Sequence, residues 1–470
     1  RPLFSTLRIM FQVFRYLKYF LEFTFRTFDT SNELENKMIK KTKFSGFFLL
    51  TLFLFFIIIL FQINFTSFQD KKVTNSSDVP IILWWTPFGS DEEFRKCGNV
   101  KCFFTNNRSV ITNSQLKAIL FYGSNIELND LPLPRQVNVI WGLLHEESPR
   151  NNLILVHKEA IQLFNYSSTF SRFSDLPISL VDLPNEDELT GNKYFLSTME
   201  KSRLIKQKKL APVLFIQSNC DTMNGRDLYV SQLMKLISID SYGTCINNKH
   251  LPKQLKENYL NHLDSDEFRK FVGQYKFTLA IENAVCEDYI TEKLWRPLIV
   301  GSVPIYYGSP SFKDWLPNNN SAISINDFED PKKLTEYLKE LINDDVQYNS
   351  FLKHKLLKDS ITNNRLLDIL QKRPNDLFNI FDYYVKEFEC LICRNSISQN
   401  SHHKVTKKHY NCSKPKNLYK NGKKNQWTDM WEIESCAAKL LYQSVTHNKT
   451  IELDKFDKEK LKMFQNNKCN

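Results

Sequence analysis

The sequence predicts an α/β fold made of two nucleotide-fold-like halves, preceded by one membrane-spanning helix. Three observations carry this. The run Phe44–Gln69 contains no charged residue and is nearly all Phe, Leu and Ile at its centre, Phe47–Phe61. Strand-length apolar runs alternate with helical or polar stretches from Val79 to about residue 205. A second such series starts at Ala211. A chain of 470 residues suits two to three domains, and strands alternating with helices argue for layered α/β structure.

Residues 1–43 carry nine basic and four acidic side chains and read as a cytosolic segment. Met38, followed by Ile39-Lys40-Lys41, makes an economical start. Residues 1–37 are therefore either upstream sequence or a tail whose Phe/Arg stretch near Arg8–Phe28 lies on the membrane. Residues 44–65 are long and apolar enough to span a bilayer, and no small-residue cleavage site follows at Gln62-Ile63-Asn64-Phe65. Lys37, Lys40, Lys41 and Lys43 before the span, against only Lys71 and Lys72 in the 25 residues after it, orient it as a type II signal anchor with a luminal C-terminal part. Residues 66–78 read as a polar stem.

Residues 79–205 form the first half, with buried-strand patterns at Val79–Trp85, Ala118–Tyr122, Val137–Trp141, Leu153–Val156 and Pro177–Val181. A basic helix over 198–211 leads to the second half, 206–385. There the pattern predicts a strand at Ala211–Ile216, a helix near Arg226–Ile237, a strand at Phe277–Ile281, a helix at Thr291–Val300, a strand at Val303–Tyr307, and helices at Lys332–Ile342 and Tyr348–Leu357. Residues 386–470 read as a less regular extension.

The net charge is +11, but residues 1–43 contribute +5 and residues 394–426 contribute +9, which leaves −3 for the rest. The body is near neutral, so no nucleic-acid-binding body is implied. The basic stretch 394–426 suits either a solvated lysine-rich loop or a site for an acidic protein or glycosaminoglycan. All ten Cys follow the anchor, as expected in an oxidising lumen. Sequons begin at Asn75, Asn107, Asn165, Asn319, Asn411 and Asn448.

The chemistry concentrates in Phe277–Gly308, read as strand, loop, helix, strand. Polar residues gather past the first strand and at the start of the helix, where ligands of open α/β sheets bind. A helix N-terminus offers unpaired N–H groups and a positive dipole end to phosphate. Lys293 adds a cation, and Glu292 beside it suits ribose hydroxyls. On spacing alone, the Glu-Lys pair equally suits an ordinary capped, solvated helix.

This segment resembles the signature of the α1,3-fucosyltransferase family: Phe277 with Glu282-Asn283, then Asp288-Tyr289 with Thr291-Glu292-Lys293, then Gly301 with Val303-Pro304. Glu147-Ser148-Pro149 resembles the family's acceptor-side motif, and Ser218-Asn219-Cys220 with Arg226, Tyr229 and Ile239–Gly243 resembles the start of its donor domain. Trp295-Arg296-Pro297 departs from the more usual Asn-Ala at this point. It resembles an animal branch associated with fucosylating protein Ser/Thr and formerly with GlcNAc, as do Tyr306–Ser311, Asp314–Pro317 and Trp427–Trp431. The departure bears on the acceptor and not on the donor.

The resemblance implies a GT-B architecture, two Rossmann-like domains facing a cleft, and GDP-β-L-fucose as donor with inversion and no required cofactor or metal. It implies that Arg226, Asn283, Tyr289, Glu292 and Lys293 line the donor site, with Lys293 and Arg226 neutralising the leaving diphosphate. The implied base is Glu147, with Glu146 its rival and His145 chemically competent. The implied acceptor is a glycoprotein, through Ser/Thr of a folded domain or GlcNAc of an N-glycan, and the implied residence is the Golgi or endoplasmic reticulum. The family pattern pairs Cys390 and Cys393 with Cys97 and Cys102; Cys220, Cys245, Cys286, Cys412, Cys436 and Cys469 are left unassigned. Two further readings stand beside this one: an inactive luminal binding or quality-control protein that keeps the fold, and an enzyme using another nucleotide sugar.

Overall fold

The computed structural model describes residues 79–86, 88, 92–256, 263, 265–358, 360–374, 379–397, 402–420 and 424–469. The predicted cytosolic segment, membrane span and stem lie outside them. Among the described residues no helix is long and apolar enough to cross a membrane.

Two sheets organise the described residues. The first contains β1 (Ile81–Trp84), β2 (Glu93–Cys97), β3 (Val100–Thr105), β4 (Leu116–Tyr122), β5 (Ile140–His145) and β6 (Tyr166–Thr169), in the order β2-β3-β1-β4-β5-β6. All its pairings are parallel except β2 with β3. The second contains β7 (Val213–Gln217), β8 (Ile239–Gly243), β9 (Phe277–Ile281), β10 (Val303–Tyr307) and β11 (Ile323–Ser324), all parallel, in the order β11-β10-β9-β7-β8. Numbered within the sheet, that order is the doubly wound one whose crossover reverses between its first and third strands, here β7 and β9.

Both faces of each sheet are covered, which is why the strands β1, β4, β5, β7, β9 and β10 read as near-continuous apolar runs rather than alternating ones. Ile81 and Leu83 enter one core and Ile82 and Trp84 the opposite one. In the second sheet Phe277, Leu279 and Ile281 face one core and Ala280 the other. Helices α1 (Thr198–Lys206), α2 (Arg226–Leu233), α3 (Asp266–Gly273), α4 (Glu292–Val300) and α5 (Pro331–Asn343) follow within or lead into the second half. Helix α4 buries Leu294, Trp295, Leu298, Ile299 and Val300, each contributing on the order of 1.5–3 kcal/mol. It ends at Gly301, whose φ of 70° is left-handed and whose Cβ position is filled by the ring of Phe195.

The C-terminal part is more regular than the sequence suggested. It contains α6 (Ile380–Ile397), α7 (Gln426–Thr446) and α8 (Leu453–Gln465). Phe388 and Ile392 of α6 pack on one face of the first sheet, and Trp427, Trp431, Ala437 and Leu441 of α7 belong to the core on its other face. Disulfides Cys97–Cys390 and Cys102–Cys393 fasten α6 to β2 and β3, as the resemblance implied. The remaining cysteines pair as Cys220–Cys245, Cys286–Cys412 and Cys436–Cys469.

Three expected elements differ. Leu153–Val156 is a fully buried 3₁₀ turn rather than a strand, since a short apolar run does not distinguish the two. Pro177–Val181 forms no strand; Leu180 there takes a left-handed φ of 63°. Tyr348–Leu357 is broken into short turns. The sequon residue Asn165 is buried: its Oδ1 accepts from Trp141 N and Arg135 Nη2 and its Nδ2 donates to His403 O. A glycan on this side chain is incompatible with the folded state.

Candidate active site

The site begins where β7 and β9 end side by side. Gly225, at φ 59°, turns the chain into α2 so that Arg226 is its first residue. Arg226 is 1% exposed. Its Nη1 donates to Ile281 O (2.9 Å), and its Nη2 donates to Gln217 Oε1 (2.6 Å) and Asn219 O (2.7 Å). The guanidinium thus ties together the ends of the two strands that flank the reversal point. Burial lowers its affinity for the proton, and Asp227, Glu282 and Glu292 oppose that.

Beyond β9 a loop runs from Glu282 to Thr291, and Thr291 caps α4, its Oγ1 accepting from Lys293 N. Glu282 is fully buried and organises this turn. Its carboxylate accepts from Thr291 N (2.9 Å) and Thr291 Oγ1 (2.8 Å) and lies 3.5 Å from Lys293 Nζ. Burial raises the Glu282 proton affinity against the pull of Lys293. Lys293 Nζ also contacts Glu292 Oε1 at 3.1 Å. Burial would depress Lys293, but Glu292 and Glu282 outweigh it and hold its charge. For Glu292 the burial effect is likewise overcome, by Lys293 and Arg296, so its carboxyl is held down in the ionised form. A cavity of about 860 Å³ opens here, walled by Glu292, Lys293 and Arg296 on one side and Gln217–Asp221, Gly243 and Thr244 on another, with an apolar end at Leu251, Leu263 and Phe268.

Between Glu282 and Thr291, the loop is held from outside. Asp288 takes a left-handed φ of 62°, which Asp tolerates better than most residues. Its buried carboxylate accepts from Arg172 N (2.9 Å), Arg172 Nε (2.9 Å), Ser311 Oγ (2.8 Å) and Trp315 Nε1 (2.9 Å). Arg172 follows β6, so the first half clamps the loop of the second. On the other flank Cys286 is bonded to Cys412, and Glu287 N donates to Asn411 O. Tyr289 packs against Phe170 and its phenol is pushed well up, by burial and then by Glu282, Glu147 and Glu292. Its hydroxyl therefore lies in the field of carboxylates from both halves. Asn283 Oδ1 is buried without a hydrogen-bond partner.

Across from this loop, β5 delivers His145, Glu146 and Glu147. His145 is fully buried with both ring nitrogens unpartnered, and burial pushes it down to about 3, which removes it as a base. Glu146 Oε1 accepts from Tyr122 Oη (2.9 Å), while Oε2 is buried and unpartnered. Burial pushes its carboxyl up to about 7. Glu147 is half-buried, and Tyr410 Oη donates to its carbonyl (2.7 Å).

The structure thus brings Glu292 and Lys293 to the cavity wall, sets Asn283 and Tyr289 on the adjoining loop, and puts Glu147 on the facing half. Arg226 does not line the cavity; it lies beneath, holding Gln217 and Asn219, which do. Sequence reasoning did not assign roles to Glu282, Asp288 and Arg172. The first two stand inside the quoted motif, but their task is to fix other side chains, which spacing does not disclose.

Residues 205–411 match the family model described as glycosyltransferase family 10 (fucosyltransferase) C-term, and residues 76–180 match that described as fucosyltransferase, N-terminal. The chain is 40% identical over 421 residues to alpha-(1,3)-fucosyltransferase B of Drosophila melanogaster, an alignment that covers 86% of this chain and 93% of that protein. It is 45% identical over 329 residues to human GDP-fucose protein O-fucosyltransferase 3, covering 70% of this chain and 68% of the relative. A crystal structure of an alpha1,3-fucosyltransferase with GDP aligns at a TM-score of 0.41 and 17% identity, covering 69% of this chain and 93% of that one.

Proposed function

The chain belongs to glycosyltransferase family 10, the fucosyltransferases, and on that premise we propose that it moves L-fucose from GDP-β-L-fucose to a hydroxyl of a glycoprotein, with inversion, in a GT-B arrangement of its two halves. The observation that carries this is the Thr291–Lys293 helix start, locked by buried Glu282 at the mouth of a cavity of nucleotide size. The Lys293 ammonium and the positive end of the α4 dipole meet the diphosphate, and the charge that builds on it as the fucosyl bond breaks is stabilised there. A preorganised contact of this kind is worth about 10²–10³ in rate. Arg226 contributes by holding Gln217 and Asn219 in the wall and by its positive charge. Glu292 faces the ribose, and Asn283 and Tyr289 line the fucose side.

Glu147 takes the proton of the acceptor hydroxyl. Burial pushes the Glu146 carboxyl up to about 7, but geometry comes first: its Oε1 is occupied by Tyr122 and its Oε2 is shut away from the solvent. Similarity to proteins named for protein O-fucosylation favours a Ser or Thr hydroxyl as acceptor; similarity to an alpha-(1,3)-fucosyltransferase keeps a sugar hydroxyl as the alternative. The uncharged run at 44–65, the lysines before it and the five disulfides support a type II anchor with the catalytic part in the lumen of the secretory pathway. The test is incubation with GDP-fucose and folded acceptor domains or N-glycans, read by mass spectrometry. Absence of transfer and of donor hydrolysis would sink the proposal, and stronger stabilisation by GDP-mannose or a UDP-sugar would overturn the donor.

A further inference from the structure

A second cavity, of about 570 Å³, is not used by the donor site. It lies where residues 403–418 run as a strap from the first half to the second. Val405 N and Tyr410 Oη bind Phe164 O and Glu147 O on one side, and Ser413 N and Leu418 N bind Val285 O and Asn224 O on the other. Its walls include Lys407, Lys414, Lys416, Asn224, Tyr307 and Trp431. Lys414 is paired with Glu432. The side chains of Lys407 and Lys416 form no ion pair or hydrogen bond among the described residues. Asn224 is 2% exposed; its Nδ2 donates to Glu282 O at 2.7 Å, and its Oδ1 is left without a partner. The strap belongs to the stretch 394–426, which has nine basic and no acidic residues in a chain whose remaining body is slightly negative.

The cavity also adjoins both reacting sides. Tyr410, which flanks Glu147, is three residues from Lys407, and Met223 N donates to Asn283 O at 2.9 Å beside Asn224. A macromolecule that presents a hydroxyl between Glu147 and the donor loop passes this rim. We propose that the cavity binds the acidic flank of a polypeptide acceptor: Asp or Glu side chains close in sequence to the fucosylated residue seat against Lys407 and Lys416. The proposal rests on the fucosyl-transfer reading and specifies the acceptor it favours. The cavity holds a few side chains, which suits a peptide better than a long sulfated saccharide. Fields of one sign focused beside a cleft raise the local concentration of oppositely charged substrate.

The test uses the full chain and a fluorescein-labelled peptide of alternating Asp and Glu around one Ser, followed by anisotropy. The Lys407→Ala/Lys416→Ala variant binds it about tenfold more weakly, each exposed pair being worth a few-fold. The difference shrinks when salt is raised to about 0.15 M and beyond, and affinity for GDP is unchanged. Equal binding by the variant, equal binding of an Asn/Gln peptide, or tighter binding of a heparin oligosaccharide through the same lysines would each overturn it. Binding is read without transfer, so the two readings separate. Intact peptide binding together with no transfer to folded domains or N-glycans and no donor hydrolysis would refute the reaction, whereas intact transfer to a folded domain with an unchanged acceptor KM in the variant would refute the cavity's role.

Discussion

Replacing Arg172 by Ala strands a buried charge. The Asp288 carboxylate is 0% exposed and would keep Arg172 N, Ser311 Oγ and Trp315 Nε1 as donors while losing the guanidinium. Removing one partner of a buried pair costs about 3–5 kcal/mol. Three surviving donors put this case at the low end, about 3 kcal/mol, with up to about 1 kcal/mol more for the lost stacking of Arg172 on Trp315. At roughly 1.2 °C per kcal/mol for a unit of this size, the melting temperature falls by about 4 °C in calorimetry. Asp288→Asn removes the stranded charge, so the double variant costs less than the two singles together, with a coupling of about 1–3 kcal/mol. Asp288 sits next to Tyr289, so GDP-fucose affinity falls with stability. The pH dependence has a definite sign. Burial alone would raise the Asp288 proton affinity, but the bonds from Arg172 and Trp315 lower it. A carboxyl lower in the folded state gives stability that is present above its unfolded value, near pH 4, and is lost as acid titrates the folded form. A melting temperature within about 1 °C of wild type, or strict additivity of the two substitutions, would refute the reasoning.

Lys293→Ala lowers kcat for fucosyl transfer by about 10²–10³ with folding retained, as steady-state kinetics would show. Glu147→Gln abolishes transfer, while Glu146→Gln keeps most of it, because the Glu146 carboxyl is already largely protonated below about pH 7. Its raised value means that stability falls as pH rises from about 4.3 toward 7, and Glu146→Gln flattens that part of the melting profile. Breaking the Cys286–Cys412 bridge, which spans 126 residues, by Cys412→Ser lowers stability by about 4–5 kcal/mol on the chain-entropy account, measurable by denaturant titration.

Where a strand is buried on both faces, its composition announced it. Val213–Gln217, Phe277–Ile281 and Val303–Tyr307 fall where their Val, Ile, Leu and Phe residues indicated. The β2–β3 hairpin did not show, because Glu93–Cys97 is an edge strand that pairs on one side only, with Phe94 on its exposed face and the charged Glu93 and Arg95 on the half-buried one. The start of β5 was placed too early because Val137 reads as core in sequence yet is 86% exposed. At the site, Thr291, Glu292 and Lys293 were legible as a helix start. Arg172 was not, because its partner Asp288 lies 116 residues away and only the meeting of the two halves joins them. The proton affinity of Glu146 depends on how its surroundings exclude water, which adjacent residues in a sequence do not encode.

The placement of α6 dictates an order of events during synthesis. Ile82, Trp84, Leu120 and Leu144 face a helix that begins at Ile380, and both cysteines of the first hairpin wait for Cys390 and Cys393. At about 5–20 residues per second, a nascent chain carries this bare apolar face for many seconds before its cover leaves the ribosome. The first half is thus the earliest to be translated and among the last to close, and a chain cut short before α6 exposes one oily side of its leading sheet.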